Sequence, residues 1–161
     1  MARLSPTAAF AFLSLVELAV SCGKNATTAT TVVIPDEVAP YVKQFTTDAA
    51  QYGHPLTVTN LIIEFGPLEN ANERGICDIS GDLTPKITID RNAWDKSSDG
   101  SRDELIHHEM GHCVLRRKHK TGVDDTGKPD SIMYPYAFDG QTYDGNRVDY
   151  LTELYSGKAE F

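Results

Sequence analysis

From Val38 onward the chain switches between two hydrophobic rhythms, and each predicts a different element. Val38, Tyr41, Val42, Phe45 and Ala49 recur at helical spacing. Asp36 and Glu37 precede them, Pro40 suits a first helical turn and Gly53 ends the run, so one amphipathic helix is expected here. "LTVTNLIIEFG", starting at Leu56, is rich in β-branched residues and stops at Gly66-Pro67, which predicts a strand. "GICDIS" and "KITIDRNAW" alternate apolar with polar positions on either side of Gly81-Asp82, predicting two more strands about a turn. "SSDGSRDELIHHEMGHCVL" then places apolar residues at 105, 106, 110, 113 and 114 behind Asp103 and Glu104, with Ser101 as the expected N-cap. This is the best-signalled helix in the chain. A polar stretch from about 118 to 130 reads as loop, and "NRVDYLTELYSG" offers Val148, Leu151, Leu154 and Tyr155 as the apolar face of a short last helix. Helices flanking a group of strands describe an α+β domain.

The N-terminal pattern is of another kind. Arg3 precedes an apolar run from Ala8 to Val16, and small residues lead up to Cys22, the order of a secretory signal peptide. The run falls short of the roughly 20 apolar residues a membrane-spanning helix needs. "AVSC" followed by Gly23 resembles the lipobox of bacterial lipoproteins, which implies removal of residues 1–21 and a lipid on Cys22. Glu17 and the early position of Leu18 depart from that pattern, and an ordinary signal peptide cut nearby is the alternative. "GKNATTATTVV" is small, polar and aperiodic, so residues 22–34 are expected to tether a domain spanning 35–161. The expected location is outside the cytoplasm, at a bacterial outer membrane or cell surface or in the periplasm, with the membrane as a partner through the lipid anchor.

Composition narrows the partners. The net charge of −8 argues against nucleic acid, and the basic cluster Arg116, Arg117, Lys118 and Lys120 is too short to reverse that. A domain of this size buries roughly two thirds of its unfolded surface and folds on one core, so a monomer is expected. Two cysteines remain after cleavage, Cys77 and Cys113. In an oxidising compartment they read first as a disulfide; a buried free thiol or a metal ligand at Cys113 is the rival reading.

Four of the five histidines fall in "HHEMGHCVLRRKH", residues 107–119. His108 and His112 are one turn apart on one helix face, so both imidazoles can reach a single cation. Glu109 projects beside that pair, suited to hold a water rather than to ligate. The bland reading is two surface histidines on a polar face. Gly111 weighs against it, because a glycine inside a helix costs about 1 kcal/mol relative to alanine and needs a compensating close approach. His107 points away from His108 and is expected to be a capped or solvated histidine.

"HEMGH" followed by "SIMYP" at 131–135 resembles the metzincin zinc proteases, and "MYP" most resembles their matrixin branch. The resemblance implies a small zincin-type domain: a mixed sheet, an active-site helix and a C-terminal helix. It implies Zn²⁺ held by three histidines, Glu109 as catalytic base, and Met133 as the floor of a tight turn beneath the metal; a plain core methionine is the alternative for Met133. It also implies Pro135 and Tyr136 as walls of a substrate pocket, although the family's tyrosine lies one residue later. In the family the helix ends at a glycine three residues past the second histidine, and the third histidine follows at six. Here those positions hold Leu115 and Lys118, and His119 comes one residue later. If the helix continued, His119 would lie about 10 Å along the axis from His112, too far to share an ion. The backbone must reverse between Val114 and Lys118 without glycine, at a cost of about 1–2 kcal/mol, which zinc ligation worth about 10 kcal/mol would offset. Asp124 or Asp125 is the reserve third ligand, and Glu153 would be the third ligand in a thermolysin-like arrangement. "KITID" is expected to pair with an extended peptide or protein substrate. The expected activity is zinc-dependent hydrolysis of peptide bonds; the alternative is a non-catalytic surface lipoprotein that keeps the fold for binding.

Overall fold

The computed structural model describes residues 30–70, 72–80 and 84–160. The expected signal segment, Cys22, most of the tether and the Gly81-Asp82 turn lie outside these residues. Eight elements follow in chain order: β1 (Val32–Val33), α1 (Ala39–Gln51), β2 (Leu61–Phe65), β3 (Gly75–Asp78), β4 (Lys86–Ile89), α2 (Arg91–Lys96), α3 (Asp99–Cys113) and α4 (Gly140–Ser156). The fold is a small α+β domain with a mixed sheet of order β1-β2-β4-β3. β1 and β4 run parallel to β2, and β3 runs antiparallel to β4.

Strand alternation decides which residues meet the helices. Ile63 pairs with Ile87 and Ile87 with Cys77, while Phe65 pairs with Ile89 and Ile89 with Gly75. Because side chains alternate faces, these rows share one side of the sheet. Ile63, Ile87 and Ile89 are buried there with Phe45 and Ala49 of α1, and Ile106 and Met110 of α3. On β3 the same face carries Gly75 and Cys77, and α3 packs against both. A Cβ at Gly75 would stand 3.1 Å from Leu105 Cδ1, and Cys77 is disulfide-bonded to Cys113 with Cα atoms 5.7 Å apart.

Several boundaries differ from the expected ones. Val32 and Val33, within the expected tether, pair with Leu61 and Ile62. β2 begins at Leu61 rather than Leu56. "RNAW" forms α2 instead of extending a strand, because Asp90 caps it by accepting from the Ala93 N–H at 2.7 Å. Helix α3 starts two residues after Ser97: its N-cap is Ser98, not Ser101, and Ser98 Oγ accepts from the Ser101 N–H at 3.2 Å. Helix α4 starts before Asn146, at Gly140, because Asp139 caps the Thr142 N–H at 2.9 Å. Val148 is 68% exposed; the buried face is Tyr143, Tyr150, Leu151, Leu154 and Tyr155. The strand expected to meet substrate is also corrected. β4 is paired on both sides, and the edge strand beside α3 is β3. Among the described residues no helix is long and apolar enough to cross a membrane.

Candidate metal centre

Helix α3 is held in place before it presents anything. His107 is fully buried with both ring nitrogens bonded, which leaves the capped rather than the solvated state of the two expected. Its ring nitrogens bond Asp103 O at 2.9 Å and Asp48 Oδ2 at 3.2 Å. Arg147 of α4 bonds Asp48 and reaches Asp103 Oδ2 at 3.0 Å, while Tyr143 O–H donates to that same oxygen at 2.8 Å. Burial alone would discharge these groups. The hydrogen bonds to Asp103 and Asp48 outweigh it and hold the His107 pKa above its usual value, while against burial His107, Tyr143 and Arg147 carry Asp103 down to about 2. His107 therefore ties α3 to α1 and α4 rather than ligating anything.

On the neighbouring face of α3, His108 and His112, one turn apart, bring their Nε2 atoms within 3.2 Å of each other. Each is oriented through its other nitrogen by a main-chain oxygen. His108 Nδ1 bonds Ile132 O at 2.8 Å and His112 Nδ1 bonds Arg117 O at 2.6 Å. This is the arrangement that fixes a ligating imidazole's tautomer and leaves the Nε2 lone pair free. His119 completes the set, with Nε2 at 3.0 Å from His112 Nε2 and 3.3 Å from His108 Nε2. The three histidines are thus close enough to bind one metal ion. Burial lowers the pKa of all three, and for His108 burial together with the neighbouring His112 brings it to about 3, so the rings are neutral and ready to ligate.

The reversal that delivers His119 happens without glycine. After the C-cap Val114, the Leu115 N–H reaches back to Met110 O at 3.2 Å and the Arg117 N–H to Gly111 O at 2.9 Å. Arg116 occupies the left-handed region at φ 57°, a conformation costing a non-glycine residue about 1–2 kcal/mol.

Beneath the helix lies "SIMYP". Ser131 Oγ accepts from the Met133 N–H at 3.0 Å and donates to Glu153 Oε2 at 2.6 Å, and the Tyr134 N–H closes the turn on Ser131 O at 3.2 Å. Met133 is fully buried against Gly111: a Cβ at 111 would fall 2.5 Å from Met133 Sδ. That contact is the close approach the sequence asked for.

Glu109 faces β3. It is almost wholly buried, and a Cβ at Gly75 would come within 3.0 Å of its Oε1. Burial first, then the charges of Glu104 and Glu73, push its pKa to about 8 against the pull of Arg74. A cation held beside it would favour the carboxylate again. A cleft of about 690 Å³ runs over the three histidines and Glu109, with β3 and the loop before it on one side and Tyr134, Pro135 and Tyr136 on the other.

The reserve ligands are used elsewhere. Asp124 Oδ1 closes its own loop on the Thr126 N–H at 2.8 Å and the Lys128 N–H at 3.0 Å, and Asp125 is exposed. Glu153 binds Arg117, Lys120 and Ser131 and does not join the histidines. Three buried charged side chains near the site carry no functional signal in the sequence: Asp48, Glu104 bonded to Arg74, and Arg117. Glu104 has the signature of a solvated helix-start acid, and Arg117 that of a basic surface patch. Their partners are distant in sequence, so no local pattern marks them. Compared with known proteins, the chain matches no family model, no curated protein and no solved structure.

Proposed function

We propose that this chain is a small zinc-dependent endopeptidase of metzincin type, and the observation that carries the proposal is the triangle of Nε2 atoms with sides of 3.0, 3.2 and 3.3 Å. A tetrahedral zinc with bonds of about 2.0–2.1 Å spaces its ligand atoms by about 3.3 Å. Three neutral imidazoles with two Nδ1 atoms tied to main-chain oxygens suit that ion, and the open side faces the cleft. Bound zinc supplies Lewis acidity, lowering the pKa of water from about 16 toward 7 and polarising a carbonyl oxygen.

The chain's own residues do the rest. Glu109 takes the proton of the attacking water and returns it to the leaving amine. The unpaired edge of β3 offers main-chain groups to an extended peptide, as an added strand. Pro135 and Tyr136, the latter 73% exposed, stand across the cleft as side-chain contacts. The Met133 turn keeps water and side chains from entering beneath the ligands. The N-terminal pattern supports export and a lipid anchor at Cys22, and the Cys77–Cys113 disulfide suits an oxidising compartment.

The test is hydrolysis of a mixed pool of fluorogenic peptides by the full chain. Cleavage that stops with a zinc chelator and returns on adding zinc is expected. Cleavage indifferent to the chelator would contradict the mechanism. No cleavage by a chain carrying a full complement of zinc would favour the binding protein over the enzyme.

A further inference from the structure

Two of the three ligands depend on the segment between α3 and the metal-facing loop. His112 is oriented by the main-chain oxygen of Arg117 at 2.6 Å. The backbone of His119 is pinned on both sides: the Lys118 N–H donates to Glu160 Oε2 at 2.8 Å and the Lys120 N–H to Met133 O at 2.9 Å. His108, by contrast, is set by Ile132 O from another segment.

Arg117 joins these supports. Its side chain is 1% exposed and runs into the end of α4. Nη1 donates to Leu154 O at 3.0 Å and Nη2 to Glu153 Oε1 at 2.9 Å, while Nε lies 3.7 Å from Glu160 Oε1, an ion pair beyond hydrogen-bond length. The Glu160 N–H returns to Arg116 O at 2.8 Å, closing the clasp. Gly157 leaves the room this needs, because a Cβ there would fall 1.3 Å from Nη1. The planar guanidinium satisfies a helix-end carbonyl and a carboxylate at once, which an ammonium cannot reproduce in the same geometry.

We propose that Arg117 is a positioning residue of the metal centre: its guanidinium, clamped on the end of α4 and on Glu160, fixes both the carbonyl that orients His112 and the turn that carries His119. The inference rests on the proposed metal site. It assigns the α4 terminus and the residues after it a part in metal affinity. Groups that support a ligating histidine from behind typically change metal affinity 10–100-fold when removed.

The experiment compares Arg117→Met, Arg117→Lys, Gly157→Ala and Glu160→Ala in the full chain. Zinc affinity is measured by chelator competition, ligand geometry by the visible absorption of the cobalt(II)-substituted protein, and stability by urea unfolding of the metal-free chain. Arg117→Met should weaken zinc by about 10–100-fold and alter the cobalt spectrum, with Arg117→Lys recovering only part of the loss. Glu160→Ala should weaken zinc several-fold. A folded Arg117→Met chain with wild-type zinc affinity and cobalt spectrum overturns the inference, even if its unfolding midpoint falls. Should Arg117→Met fail to fold, Gly157→Ala and Glu160→Ala decide by the same criterion. A wild type that binds no zinc overturns the metal site itself, and this inference with it.

Discussion

Glu109→Gln should keep its zinc and lose about 10²–10⁴-fold in kcat/KM for any peptide the wild type cleaves, the usual contribution of a general base. The side chain lies almost wholly buried between α3 and β3, with its oxygen near Gly75, and glutamine has nearly the same shape. Packing and the three imidazoles are left as they were. What disappears is the ability to take a proton from water and return it to the amine. Steady-state kinetics together with metal analysis of the same preparation check this. Undiminished cleavage with zinc bound would mean that another group moves the proton.

Removing the disulfide by Cys77→Ser with Cys113→Ser should lower the unfolding free energy by about 3–4 kcal/mol, read from urea unfolding. The bridge closes a loop with a sequence separation of 36, and its loss frees the unfolded chain more than it changes the fold. That is a change of about 10²–10³ in the folding equilibrium. A functional loss should accompany it. Cys113 adjoins His112, and Cys77 lies on the edge strand that borders the cleft, so the bridge fixes the distance from α3 to β3. An unchanged midpoint in the double variant would show that packing alone holds β3 on α3.

The α1 period was legible because that helix buries Val42, Phe45 and Ala49 and exposes Lys43, Gln44 and Thr47, whereas α3 is covered on nearly all sides and its Ser98 cap lies three residues before the expected Ser101. That His108 and His112 face one another was legible because a four-residue spacing fixes relative position on a helix whatever surrounds it. His119 was legible only through chemistry, since nothing local announces that Arg116 takes a left-handed conformation. The order of the strands was not legible. "KITI" alternates as an edge strand does, yet β2 and β4 form a parallel pair, which needs a distant crossover that periodicity cannot register. The partners of His107 and Arg117 were not legible because they lie far along the chain, Asp48 in one case and Glu153 with Glu160 in the other. Polar side chains in a sequence look solvated until tertiary partners are known.

The most direct test of the whole account is zinc content after exhaustive dialysis, wild type against His119→Ala. The proposed zinc centre predicts one tightly held zinc per wild-type chain and a large loss when the third ring is removed. A wild type that retains less than one zinc, or a His119→Ala chain that holds it as firmly, would contradict the centre described above.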